Sequence, residues 1–218
     1  LEPLQFSSGG QVKGMAVDIV RRAANGANIR YEMTLLDWAR AYKLTLQNAN
    51  TCIFSMARLP SRESSFQWLG VISGLKGTLF RHRDRLDVKV NALHEAKQYG
   101  VMALSNDAMH HFLLDHGFET GKDIYLASSR DKMLELAFSK TSSPLLLYDP
   151  LLLSYWAKVN GKNINELVPQ ITLDELTVEY YLACNKDTDH KIVTKLKKQL
   201  TNIRSSGEYD RILAGWRK

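Results

Sequence analysis

The chain has 218 residues, enough for one large domain or for two lobes of about 100 residues each. Its hydrophobic content of 44% and charged content of 24% describe an ordinary globular protein and exclude a disordered or fibrous one, and no apolar stretch reaches the ~18 residues of a membrane span. The net charge of +6 permits an anionic partner, but the positive residues are spread along the whole chain, which argues against nucleic acid.

Met15 to Asn25 predicts a helix, with Ile19, Val20, Ala23 and Ala24 on one side and Gly26 as its stop. Ile29, Tyr31 and Met33 alternate with polar residues, as a strand would. Ala39 to Gln47 predicts a helix and Thr51 to Ser55 a buried strand. Leu59-Pro60-Ser61 then opens a helical turn, so Arg58 and Arg62 fall between a strand end and a helix start. Further along, the pattern predicts strands at Tyr99 to Ala103, Ile124 to Leu126 and Pro144 to Tyr148. Each is followed by a helix, at Ala108 to His116, Arg130 to Phe138 and Pro150 to Val159. Val178 to Cys184 reads as a strand. Asp187, Thr188 or Asp189 caps a long helix from His190 to Ser206 that Gly207 ends, and Glu208 to Trp216 forms a last short one. The lysines of Lys191 to Lys198 lie opposite Ile192, Val193, Leu196 and Leu200 and read as a solvated face.

Strands alternating with helices predict an α/β fold with mixed, mostly parallel sheets flanked by helices. Two stretches break that rhythm, the charged run after Phe80 and the strand ending at Cys184. Two crossings predict a discontinuous, two-lobed chain. Residues 1–80 and 180–218 would build the first lobe and 81–179 the second, with a cleft between them as the natural ligand site. Cys52 and Cys184, the only cysteines, give neither a metal-site spacing nor a disulfide framework. Neighbours on a helix point about 100° apart, so His110-His111 cannot share a metal and reads as surface. No metal or cofactor is expected. The chain begins at Leu1 with no Met and no leader pattern; a removed signal peptide and a trimmed N-terminus both remain open.

"GMAVDIVRRAA", the Trp38 segment, "CIFSMARLPSRESSFQW", "YGVMALSNDA" and "LLLYDPLLLSYW" occur in this order. That order resembles the bacterial extracytoplasmic solute-binding proteins of the polar amino-acid type, the class II periplasmic binding proteins. The opening, with Pro3, Phe6, Gly14 and Asp18, is similar to that family's start, except that the short strand expected before Pro3 is missing. The resemblance implies that Arg62 grips a ligand carboxylate and that Ser55 bonds the ligand at the strand end. It implies that Ser105 and Asn106 close over the carboxylate, that Asp149 receives an ammonium group, and that Trp38 stacks at the cleft edge. Ala57 stands where relatives often carry a hydroxyl, and Arg58 is added next door; both point to a more acidic ligand or to a carboxylate held by two arginines. The resemblance also places the Cys52 strand antiparallel to the strand ending at Cys184. The two sulfurs are therefore expected as neighbours, with a bond open to them in an oxidising compartment.

Elementary chemistry runs beside the resemblance. A guanidinium binds a carboxylate through two parallel hydrogen bonds. Pro60 at a helix start leaves N–H groups free nearby, and Ser105-Asn106-Asp107 offers a second helix start. Bland alternatives stand for each residue. Arg58 and Arg62 read equally as surface residues, with Glu63 a partner for Arg62; Asp149, Ser105 and Asn106 read as helix caps; Trp38 reads as core.

The expected function is a monomeric periplasmic protein that closes on a small carboxylate or zwitterion and delivers it to an ABC transporter. A sensor domain of a membrane signalling protein is the alternative, and an enzyme on the same fold a third; no catalytic residue set is visible.

Overall fold

The computed structural model describes residues 2–105, 107–139 and 144–217. In chain order it contains β1 (Phe6–Ser8), β2 (Gln11–Lys13), α1 (Met15–Gly26), α2 (Trp38–Gln47), β3 (Cys52–Ala57) and β4 (Phe66–His82). Then follow β5 (Val101–Leu104), α3 (Ala108–Asp115), β6 (Ile124–Ala127), α4 (Arg130–Ala137), β7 (Leu145–Tyr148) and α5 (Pro150–Val159). The long strand β8 (Leu167–Asn185) leads to α6 (His190–Ser205) and α7 (Glu208–Arg217). The chain divides into two compact units, Leu1–Gly74 with Val178–Lys218, and Leu75–Thr177. Both boundaries fall inside long strands, β4 and β8, rather than at 80/81 and 179/180.

In the first unit β3 pairs antiparallel with the end of β8, in the order β3-β8-β4, so β3 is an edge strand. Helices α1 and α6 supply one apolar layer. Ile19, Val20 and Ala23 from α1 meet Val193, Leu196 and Leu200 from α6 over Ile72 and Leu182. The lysines of α6 are exposed on its other face. Spacing of three and four residues puts these side chains on one stripe, and each Leu or Ile so buried stabilises the fold by about 1.5–3 kcal/mol. The opening residues are held at the start of α1, where Met15 and Ala16 donate their N–H groups to Pro3 and Leu4. Gly14 permits that approach, because a Cβ there would lie 2.3 Å from the Leu4 carbonyl oxygen. Asp18 accepts a hydrogen bond from Trp216 Nε1 at 2.9 Å, and Phe6 meets the Trp216 ring edge-on. The Phe6, Gly14 and Asp18 of the opening pattern are thus fastenings for α1 and α7.

Cys52 and Cys184 face each other in the β3–β8 register and are joined by a disulfide. The predicted strand at Ile29 to Met33 is not one: residues 29–37 carry no strand assignment. Alternation specifies an extended backbone, but a strand also needs a pairing partner, and among the described residues no strand pairs with this segment. The 17-residue β4 lies in a stretch for which the sequence pattern assigned no element. Its glycines punctuate the apolar run, yet Gly74 is there because a Cβ would sit 2.6 Å from the Val178 carbonyl oxygen of β8.

In the second unit β5 pairs in parallel with β6 and β7, and β7 pairs antiparallel with β4. Parallel pairing among the described strands is therefore confined to this unit. Leu79, Val101, Ala103, Leu145 and Leu147 form its core, with Leu113 of α3 packed on them. His110, expected at the surface, is buried in α3, and its Nε2 lies 3.2 Å from Thr120 Oγ1.

Candidate functional site

Arg58 and Arg62 lead different lives. Arg58 is exposed, and Glu63 Oε2 accepts a hydrogen bond from its Nε at 2.8 Å while Oε1 accepts from Nη2. That bond is the main cause of Glu63 lying below the usual carboxylate range and of Arg58 being raised. The Arg58 guanidinium also lies 5.5 Å from the Trp68 ring and 5.8 Å from the Tyr181 ring. Glu63 thus pairs with Arg58, correcting the bland expectation that it would take Arg62.

Arg62 is partly buried. Its Nη1 donates to the Ala57 carbonyl at 3.0 Å, and its guanidinium lies 5.2 Å from the Trp38 ring and 5.5 Å from the Tyr42 ring. Among the described residues it makes no other hydrogen bond and no ion pair. Four of its five N–H donors are therefore uncommitted, in a geometry that fits a carboxylate at two points. Position follows from local structure. After β3 the chain turns through Pro60–Ser65, a six-residue 3-10 helix, with Arg62 N–H bonded to Leu59 O. So short a turn adds little dipole, and the positive potential at this spot belongs to the side chains.

The two guanidiniums flank a row of rings. Trp38 to Tyr42, Tyr42 to Phe66, Phe66 to Trp68 and Trp68 to Tyr181 are separated by 5.7, 5.5, 5.9 and 5.6 Å between centroids. Trp38, the first residue of α2, is 47% exposed, which removes the core reading; Phe66 and Trp68 are buried. Tyr181 donates its hydroxyl to Glu179 at 2.8 Å, and that bond is the main reason its pKa is raised. Tyr42 was legible, four residues after Trp38 on the same helix face. Tyr181 was not, because it arrives from the far end of the chain.

Ser55 sits in β3 with φ of 58°, where the β3–β8 register shifts between Ile53 and Met56. A positive φ at a bulge in a non-glycine residue is a strained arrangement of the kind that collects at binding sites. Its hydroxyl donates to Gln5 Oε1 at 2.9 Å, so Gln5 is a neighbour that sequence reading missed.

The remaining candidates lie in the second unit. Asp149 is buried and caps α5, with Oδ1 accepting from the N–H groups of Leu151 and Leu152 at 2.9 Å each. Its Oδ2 accepts from Lys76 N–H at 2.7 Å. Ser105 is an exposed turn residue, and the cap of α3 is Asp107, which accepts from His110 N–H at 2.8 Å. Asn106 lies outside the described residues. Met102 faces Leu146 in the parallel β5–β7 pair, so Ser105 and Asp149, each three residues on, follow adjacent strand ends. Carboxyl ends of parallel strands are where α/β proteins place ligands.

The sequence profile of the bacterial extracellular solute-binding proteins, family 3, matches residues 1–218. No curated protein matches. Among solved structures, the chain is similar to substrate-binding domain 2 of Lactococcus lactis GlnP in an open conformation. The identity there is 18% and the TM-score 0.79, with 99% of this chain and 90% of that one covered. It is also similar to the second substrate-binding domain of a putative amino acid ABC transporter from Streptococcus pneumoniae. That match has 15% identity and a TM-score of 0.78 over 100% and 96% of the two chains. A histidine kinase sensor domain with similarity to periplasmic binding proteins matches at 19% identity and a TM-score of 0.63, over 99% and 91%.

Proposed function

As the chain belongs to the bacterial extracellular solute-binding proteins, family 3, we propose that it binds a small carboxylated ligand, an amino acid or a related acid, through Arg62. One observation supports this reading: a partly buried guanidinium, braced by Ala57 O and two rings, has most of its donors unspent and no ion-pair partner among the described residues. Bracing lowers the ordering cost of the grip, and Trp38 and Tyr42 offer the ligand an apolar wall. Arg58 is occupied by Glu63, so between these two arginines only Arg62 lacks an acid among the described residues, which favours a monocarboxylate over the more acidic ligand that two arginines would take.

Ser55, Asp149, Ser105 and Asn106 keep in this proposal the roles the resemblance implies. So do closure on the ligand, a periplasmic location after loss of a signal peptide, and delivery to a membrane transporter. Structural similarity to amino acid transporter domains supports that use, and similarity to a kinase sensor domain supports sensing as the second reading. A thermal-shift screen of amino acids, dicarboxylates and short peptides tests the binding. A true ligand at about 100 times its Kd adds about 2.7 kcal/mol to stability.

A further inference from the structure

Positive residues run the length of the chain, but the acids do not balance them evenly. The first unit carries 17 Lys and Arg against 10 Asp and Glu, and the second 12 against 13. All of the net positive charge therefore belongs to the first unit, and α6 concentrates it. Its 16 residues include Lys191, Lys195, Lys197, Lys198 and Arg204 and no acid. Arg204 is spent on the Val71 carbonyl and on the Tyr209 ring, 4.4 Å away. The four lysines are exposed, and among the described residues none of their ammonium groups makes a hydrogen bond or an ion pair. The acids just ahead of the helix are engaged, Asp187 by Lys186 and Asp189 by the Lys191 N–H group.

We propose that this face of α6 rests on an anionic membrane surface, a bilayer rich in acidic phospholipid. Such adsorption is independent of the ligand reading. At about 100° and 1.5 Å per residue, Lys191, Lys195 and Lys198 fall within an arc of about 60° and a length of about 10 Å. Val193, Leu196, Leu200 and Ile203 are buried on the opposite side, so the lysine stripe points away from the body of the unit. Lys197 stands to one side of the stripe. A length of about 10 Å is also the screening distance at 0.1 M salt, so the three charges act together on a charged plane.

The chemistry of the face selects among anionic partners. Beside the lysines it presents Thr194, Asn202 and Ser205, and no aromatic or aliphatic side chain of α6 is exposed. A protein interface needs a desolvated aromatic or apolar centre, and single-stranded nucleic acid needs rings to stack on. Lysine is a hydrated point charge on a flexible stem rather than a planar fork, which suits lipid headgroups that rearrange beneath it. With nothing apolar on α6 to insert, the contact is electrostatic, and each lysine is expected to contribute about fivefold in affinity. Delivery to a transporter and sensing both take place at a membrane, so adsorption serves either proposed use.

The test is co-sedimentation of the 218-residue chain with vesicles of pure phosphatidylcholine and with vesicles containing one-third phosphatidylglycerol. Two triple variants share the same net charge. One carries Lys191→Gln, Lys195→Gln and Lys198→Gln on α6, where glutamine keeps the helix propensity. The other carries Lys132→Gln, Lys158→Gln and Lys162→Gln, at exposed lysines of the second unit. At about 50 mM salt the wild type is expected to bind the anionic vesicles and not the neutral ones, and to be released at about 500 mM. The α6 variant is expected to bind roughly 100-fold more weakly, while the second-unit variant stays within about threefold of the wild type. Equal weakening by the two variants overturns the proposal in favour of net charge alone. Equal binding to both kinds of vesicle overturns it as well. Retention on poly-glutamate beads without binding to anionic vesicles overturns it in favour of an acidic protein.

Discussion

Glu63 holds Arg58 in a two-point ion pair, and a stretch of chain with a sequence separation of 5 contains the whole arrangement. Because the pair closes on itself, Arg62 keeps its guanidinium without an acid among the described residues, although Glu63 is its immediate neighbour in sequence. One carboxylate thereby decides which of two arginines is free.

Replacing Glu63 by Gln is expected to release Arg58. Both side chains are about half exposed and screened by solvent, so urea titration is expected to show only a small stability cost. Binding is expected to change more, with dicarboxylates gaining affinity relative to monocarboxylates in a thermal-shift panel. Equal shifts for both classes in the variant and the wild type would remove Glu63 from any role in selectivity. The pair is also an acid-sensitive one. Glu63 is held below its ordinary range, so its contribution is present above the unfolded carboxylate pKa and is lost as pH falls through the folded value.

Asp149 offers a test in the second unit. Truncation to Ala strands the N–H groups of Leu151, Leu152 and Lys76, and the expected loss is about 2–4 kcal/mol from the cap and the buried donors together. Asp149→Asn keeps an acceptor and is expected to lose less. Chemical denaturation distinguishes the two, and a loss under about 0.5 kcal/mol for Ala would show that the cap is unimportant.

The Cys52–Cys184 disulfide ties residues 132 apart in sequence. Replacing both cysteines by Ala is expected to cost about 2–5 kcal/mol, since a long loop loses its constraint in the unfolded chain. Cys184 is fully buried, so the folded protein should resist mild thiol reagents, as mass spectrometry of alkylated samples would reveal.

His116 sets a pH dependence of opposite sign to that of Glu63. Its Nδ1 lies 2.8 Å from the Phe112 carbonyl and its Nε2 2.9 Å from Glu175, and these contacts, the carbonyl first, raise its pKa. A raised value means stabilisation that is complete below the ordinary histidine pKa of about 6.5 and lost as pH rises through the folded value. Glu175→Gln is expected to lower the NMR titration midpoint of His116. A midpoint unmoved by that change would assign the shift to the carbonyl alone.

Much of this architecture was legible because local rules and tertiary packing agree. Helix α5 begins at Pro150 and ends at Val159 as its Asp-Pro start and apolar spacing require, and α1 ends at its glycine. Legibility failed where a residue's state depends on a distant partner. Residues 29–33 alternate as a strand does, yet pairing needs a neighbouring strand. Strand β4 was not read from the sequence, and its Gly74 and Gly77 lie where β8 approaches too closely for a side chain. At the site, the positions of Arg62 and Trp38 could be read from their segments. The Glu63 pairing and the contacts of Gln5 and Tyr181 depend on rotamers and long-range packing that spacing alone does not specify.

Calorimetric titration of the wild-type chain and Arg62→Ala, with the amino acid giving the largest thermal shift, tests the carboxylate grip most directly. Loss of a two-point charged bond is expected to weaken binding by about 100-fold or more, and Arg62→Lys should recover only part of it. Binding by Arg62→Ala as tight as that of the wild type would contradict the assignment.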